Sequence, residues 1–113
     1  MIKIYHNPRC SKSRQGLKLL EDSNQPFEVI KYLDNPLTTK ELKDILSLLD
    51  IKPIDLVRKT EAIWKKNYKD KTLTDAQVIE ALINNPKLIE RPIVTNKNKA
   101  VVGRPTEKIT TIL

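Results

Sequence analysis

Tyr5-His6-Asn7-Pro8-Arg9-Cys10-Ser11-Lys12-Ser13-Arg14 contains the chain's one cysteine and joins two kinds of periodicity. Before it, Ile2 to Tyr5 alternates apolar and polar residues at the two-residue period of a strand. After it, Ser11 to about Ser23 predicts a helix whose Leu17, Leu19 and Leu20 face the core, and Asn7-Pro8 marks the break. A strand, a tight loop and a helix open an α/β fold. The same placement has a chemical consequence. A thiol at a helix start faces unpaired backbone NH groups and the positive end of the helix dipole, and both favour the thiolate. Arg9, Lys12 and Arg14 act in the same direction, and NH groups so arranged also suit an oxyanion.

Working outward, Gly16 costs ~1 kcal/mol relative to alanine in a helix unless a neighbour packs close to it. Asn24-Gln25-Pro26 turns the chain into a second strand, Phe27 to Tyr32, which Asp34-Asn35-Pro36 ends. Thr38-Thr39-Lys40-Glu41 fits a capping box, and Leu42, Ile45, Leu46 and Leu49 follow at helical spacing. Pro53 suits the first turn of a short helix carrying Ile54, Leu56, Val57 and Arg58, and Ile63 and Trp64 either extend it or pack in the next connection. Lys65 to Lys71 reads as a solvated connection. Thr74-Asp75-Ala76-Gln77 is a second capping box, opening a helix with Val78, Ile79, Leu82 and Ile83 that stops at Asn84-Asn85-Pro86. Pro92 to Thr95 and Ala100 to Val102 form a hairpin through Asn96-Lys97-Asn98-Lys99 that Gly103 closes. Thr106 to Ile112 reads as a last helix, burying Ile109 and either Ile112 or Leu113. The order β-α-β, helical insertion, β-β-α predicts a mixed four-stranded sheet with helices on its faces.

With 113 residues and 39% apolar content, one domain spanning 1–113 is expected. No apolar run approaches the ~20 residues of a membrane span, and the N-terminus lacks the apolar core of a secretory signal, so a cytoplasmic protein without a membrane partner is expected. A single cysteine forms no internal disulfide, and any redox cycle must take its second thiol from outside. One cysteine and one histidine also argue against a metal site. The net charge of +7 admits nucleic acid, anionic membranes, small anions or simply a lysine-rich surface. With aromatics at 4% and no recognisable motif, Trp64 and Tyr68 read as packing residues and direct nucleic-acid binding is not expected. Against the lysine background stand Arg9, Arg14, Arg58, Arg91 and Arg104, planar donors suited to bidentate anion contacts.

The cysteine loop, Leu56-Val57-Arg58-Lys59, Asn85-Pro86-Lys87-Leu88-Ile89-Glu90-Arg91-Pro92-Ile93-Val94 and Gly103-Arg104-Pro105, in that order, resemble the glutaredoxin-coupled arsenate reductase (ArsC) family, its short YfgD-like members above all. The resemblance implies a thioredoxin-like fold and a cis Arg91-Pro92 bond. It implies Cys10 as nucleophile, and Arg58, Arg91 and Arg104 as the residues that hold the oxyanion and stabilise the thiolate. It further implies glutathione as a co-substrate rather than a bound cofactor, and glutaredoxin as the partner that resolves the mixed disulfide. Ser11, Lys12 and Ser13 complete the substrate loop, with His6 and Arg14 in support. Ser13 either donates a hydrogen bond to the thiolate or is an ordinary first-turn serine. His6 either raises the local positive potential when protonated, or hydrogen-bonds the loop as a structural cap on the strand. The loop departs from the Ala-Cys-Gly-Thr-Ser-Arg form of the best-known arsenate reductases, with Arg9 before the cysteine and Ser11-Lys12 after it. That adds bulk and charge where the oxyanion would sit.

Two other functions fit the same fold. Spx-type regulators bind RNA polymerase, but they typically carry Cys-x-x-Cys, where this chain has Cys10-Ser11-Lys12-Ser13. A thiol protein acting on another oxyanion or on glutathione mixed disulfides is the third reading.

Overall fold

In the computed structural model, which describes Met1 to Leu113, Ile2–Tyr5 is strand β1, and its position explains its composition. It pairs in parallel with β2 (Phe27–Ile30) on one side and antiparallel with β3 (Ile93–Asn96) on the other. β3 pairs antiparallel with β4 (Lys99–Val102), giving a four-stranded sheet of order β2-β1-β3-β4. Ile4 stands between Val29 and Val94 in register, and a central strand so enclosed must be largely apolar. Helix α1 (Ser11–Asp22) supplies the β-α-β crossover. Ile2, Ile4, Leu20, Val94, Ile109 and Ile112 form one buried cluster, with Leu17 and Leu19 packed at its margin.

Gly16 is explained by that packing. A Cβ there would lie 2.9 Å from Pro92 Cγ and 3.2 Å from Ile109 Cδ1, so the helix meets its neighbours through bare backbone. Gly103 meets the same two residues, Pro92 Cγ and Ile109 Cδ1, each at 3.0 Å. The Arg91-Pro92 bond is cis, as the resemblance implied, and so is Arg104-Pro105, for which there was no expectation. β2 ends at Ile30, because the Lys31 carbonyl accepts the Asp34 and Asn35 NH groups and turns the chain; Tyr32, 1% exposed, is buried from that turn and not from the sheet. The closing segment Thr106–Ile112 buries Ile109 and Ile112 as a 3-10 helix.

Contacts gather the chain into two compact units, Met1–Asn35 with Arg91–Leu113, and Pro36–Glu90. The second is the expected helical insertion. Its α2 (Thr39–Leu49) starts at a complete capping box: Thr38 Oγ1 accepts from the Glu41 NH at 3.1 Å, and Glu41 Oε1 accepts from the Thr38 NH at 3.0 Å. Thr74 and Gln77 do the same for α4 (Asp75–Asn84), which packs on α2 and on two short 3-10 helices, Pro53–Leu56 and Pro86–Leu88. The helix at Pro53 is shorter than expected, because Val57 leaves it to bridge Ile89 while the Arg58 NH donates to the Leu88 carbonyl at 2.7 Å. Trp64 neither extends the Pro53 helix nor packs in a connection; it is buried in a separate helix, α3 (Ala62–Asn67), and stacks on Tyr68 with ring centres 5.3 Å apart. The stretch Lys65 to Lys71 is exposed except at half-buried Tyr68, as expected of a solvated connection, and consists of the end of α3 and a hydrogen-bonded turn. No helix is long and apolar enough to cross a membrane.

Candidate active site

Cys10 sits at the junction where β1 hands over to α1. It is the N-cap residue, with extended backbone (φ −96°, ψ 124°), and its carbonyl accepts the Arg14 NH at 3.0 Å, the first bond of the helix. Asn7 shapes the approach. Its carbonyl accepts the Cys10 NH at 3.0 Å, its Oδ1 accepts the Arg9 NH at 3.0 Å, and it is 4% exposed. The sequence reading missed this role, although Asn-Pro before a helix is a readable sign of a side chain that folds back on its own backbone. The loop is fastened from outside by Arg14, whose Nη1 donates to the Pro8 carbonyl at 2.9 Å.

Beneath the loop, the fully buried Ser13 hydroxyl accepts from the Asn7 NH at 3.0 Å and pairs with His6 Nδ1 at 2.7 Å. When His6 carries its proton on Nε2, the hydroxyl is the donor in that pair. Ser13 thus offers Cys10 its backbone NH, while its hydroxyl is engaged with His6. Burial pushes the pKa of His6 down, and the nearby charges of Lys31 and Arg14 push the same way against the opposing Ser13 bond. His6 is therefore neutral near pH 7 and serves as a hydrogen-bonded cap on the strand. The lowered pKa disfavours the reading in which its charge raises the local potential.

Two of the three distant arginines meet at the sulfur. Arg104 Nε donates to the Arg91 carbonyl at 2.8 Å, and this aims Arg104 Nη2 at Cys10 Sγ, 3.5 Å away. Arg91 is only 8% exposed and adds both a hydrogen bond and its charge to the thiol. Burial is the largest single influence on Cys10 and opposes ionisation, but the Ser13 NH, Arg91 and the Lys12 NH together outweigh it and hold the thiol below its ordinary range. No acid in the first turn of α1 offsets these donors. Ser11 and Lys12 expose their side chains at the same helix start, and Arg9 is exposed just before it. Arg58 lies in the unit Pro36–Glu90, where its side chain is held between Glu61 at 3.5 Å and Glu90 at 3.8 Å. No group of three or more metal-ligating side chains gathers in the chain. A nucleophile with a lowered pKa, two converging guanidinium groups and two helix-start NH groups can bind a small oxyanion and attack its central atom.

The ArsC family model matches residues 5–112. The chain belongs to the ArsC family. Among ArsC-family relatives, an arsenate reductase of Neisseria meningitidis serogroup A is 44% identical, covering 99% of this chain and 97% of its own. The YfgD protein of Escherichia coli K12 is 43% identical, covering 99% of this chain and 96% of its own. A solved structure, an arsenate reductase from Vibrio cholerae, superposes with a TM-score of 0.93 at 41% identity, covering 99% of this chain and 97% of that one. The fold is the thioredoxin-like α/β fold of ArsC proteins, as the order of elements implied.

Proposed function

We propose that the protein is an arsenate reductase that uses Cys10 as nucleophile and glutathione and glutaredoxin as its external thiols. The observation that carries this reading is the convergence at one sulfur: Arg104 Nη2 stands 3.5 Å from Cys10 Sγ, and Arg91, whose carbonyl holds Arg104, acts on the same thiol. The family and the arsenate reductases similar to this chain supply the choice of oxyanion.

In the proposed cycle, the Cys10 thiolate attacks arsenic(V), an S–As bond forms, and one arsenic oxygen leaves as water after taking up protons. Arg91 and Arg104 hold the remaining charged oxygens, and the Ser13 and Lys12 NH groups sit where charge develops. A glutathione thiolate then attacks the Cys10 sulfur. The S–As bond breaks with its electron pair remaining on arsenic, so arsenic(V) becomes arsenic(III) and arsenite departs, leaving a Cys10–glutathione disulfide. Glutaredoxin attacks the glutathione sulfur and releases the Cys10 thiolate. The absence of a second cysteine requires this external resolution. Resemblance assigns Arg58 to the same oxyanion.

The test is NADPH consumption in an assay coupled through glutathione reductase, with glutathione, glutaredoxin and arsenate. Arsenate-dependent turnover is expected, and Cys10→Ser should abolish it. A wild-type rate no higher than that of Cys10→Ser would overturn the assignment. Arg104→Gln should lower kcat/KM by about 10²–10³, the usual cost of removing one oxyanion donor.

A further inference from the structure

A second concentration of positive charge shares no residue with the cysteine site and has no role in the proposed chemistry. Within the unit Pro36–Glu90, a pocket of about 380 Å³ is lined by Ile54, Trp64, Lys59, Lys65, Lys69 and Lys71. No acid is among the lining residues, and none of these four lysines forms an ion pair. The nearby acids are engaged or point to none of them: Glu61 pairs with Arg58, Asp55 accepts the Lys52 NH, and Asp70 has no cationic partner.

The lysines are presented by ordered backbone. Lys65 is in α3, the Lys69 NH donates to the Trp64 carbonyl at 3.0 Å, and the Lys71 NH donates to the Tyr68 carbonyl at 3.0 Å. Trp64 is held by its stack on Tyr68 and is 6% exposed, and with Ile54 it supplies the apolar part of the lining. Four ammonium groups around one depression, none of them in an ion pair, raise its local positive potential and attract an anion. The volume falls at the small end of the range of small-molecule sites, about 300–1,000 Å³, in a half-open depression. Lysines act as point charges toward phosphate, and an apolar floor takes up an organic body.

We propose that this pocket binds a nucleoside polyphosphate, with the phosphates against Lys59, Lys65, Lys69 and Lys71 and the nucleoside against Ile54 and Trp64. The charge of a triphosphate balances that of the four lysines, whereas a monophosphate, at about −2, would leave about half of it uncompensated.

Trp64 is the chain's only tryptophan and reports on the site directly. The experiment measures ATP binding to the full-length protein by equilibrium dialysis at low salt, alongside Trp64 emission excited near the red edge of indole absorption. Saturable binding at one site is expected, with a matching change in Trp64 emission. Adenosine should not bind, and tripolyphosphate should bind at least about tenfold more weakly than ATP. Lys65→Gln/Lys69→Gln, both at the surface and so compatible with folding, should raise the Kd by about tenfold or more. No saturable dialysis signal would overturn the proposal. So would equal binding of tripolyphosphate and ATP, which means a charge patch without a nucleoside seat, or an unchanged Kd in the double variant, which places the ligand elsewhere. Arsenate turnover has no part in these readouts.

Discussion

Ser13 and His6 show how a residue beside the thiol acts without touching it. The hydroxyl of Ser13 holds the Asn7 NH and His6, and Asn7 in turn accepts the Cys10 NH, so the loop hangs on one buried oxygen. Ser13→Ala strands the Asn7 NH in a buried site, and a stability loss of about 1–3 kcal/mol is expected in urea denaturation. Because the Ser13 backbone NH remains, the pH midpoint of Cys10 alkylation should move less than in Arg91→Gln, which removes both a hydrogen bond and a charge from the sulfur. His6 gives a pH signature. Its folded pKa is held below the ordinary 6.5, so the folded protein takes up its proton less readily than the unfolded chain. The stability that results is fully present above about 6.5 and is lost as the pH falls toward the folded pKa. The denaturation midpoint should therefore fall as the pH drops below about 6.5, and His6→Asn should flatten that part of the profile. Cys10, Arg91 and Arg104 were readable from the sequence as types of residue. The Asn7-Ser13-His6 link was not, because it depends on which way a buried hydroxyl points.

The legible elements are those whose signals are local. Both capping boxes could be read from four residues each, because donor and acceptor lie within one turn; Thr38→Ala should cost about 1 kcal/mol. What escaped the sequence is decided by distant partners. Val57 leaves its helix for Ile89, and the chain after Ile30 turns on the Lys31 carbonyl, neither of which periodicity contains. Gly16 is intermediate: its cost in a helix predicted a close neighbour, but not that the neighbours would be Pro92 and Ile109. Its substitution sets two effects against each other. Gly16→Ala gains up to ~1 kcal/mol of helix propensity. It also places a Cβ 2.9 Å from a proline ring carbon that the backbone holds in place, and overpacking of that kind costs about 1–3 kcal/mol. The clash should win, so Gly16→Ala is expected to lower the urea midpoint. A rise would mean that α1 moves away from Pro92 at little cost.

For the molecule as a whole, the sequence implies one domain, while the contacts gather into two units and the chain passes between them twice, after Asn35 and after Glu90. Chain entropy decides how the units should unfold. The pairing of β1 with β3 joins Ile2 to Asn96 and Tyr5 to Ile93, so the first unit completes its sheet only by closing a loop that contains all of Pro36–Glu90. If that segment is unfolded, the loop is long and flexible, and each doubling of length costs about 0.6 kcal/mol. A folded insertion shortens the effective loop, so unfolding of the second unit destabilises the first. The two should therefore lose structure together. The chain contains its own reporters, since Trp64 is the only tryptophan and lies in the second unit, while Cys10 is the only cysteine and lies in the first. Trp64 emission follows one unit against urea. The other is followed by the alkylation rate of Cys10 below its ordinary pKa, which falls when the arginines and helix-start NH groups disperse. Coincident midpoints are expected, as for a single cooperative domain. If the Trp64 signal is lost at lower urea while Cys10 keeps its reactivity, the insertion is an independent unit and the reading of one domain over 1–113 fails.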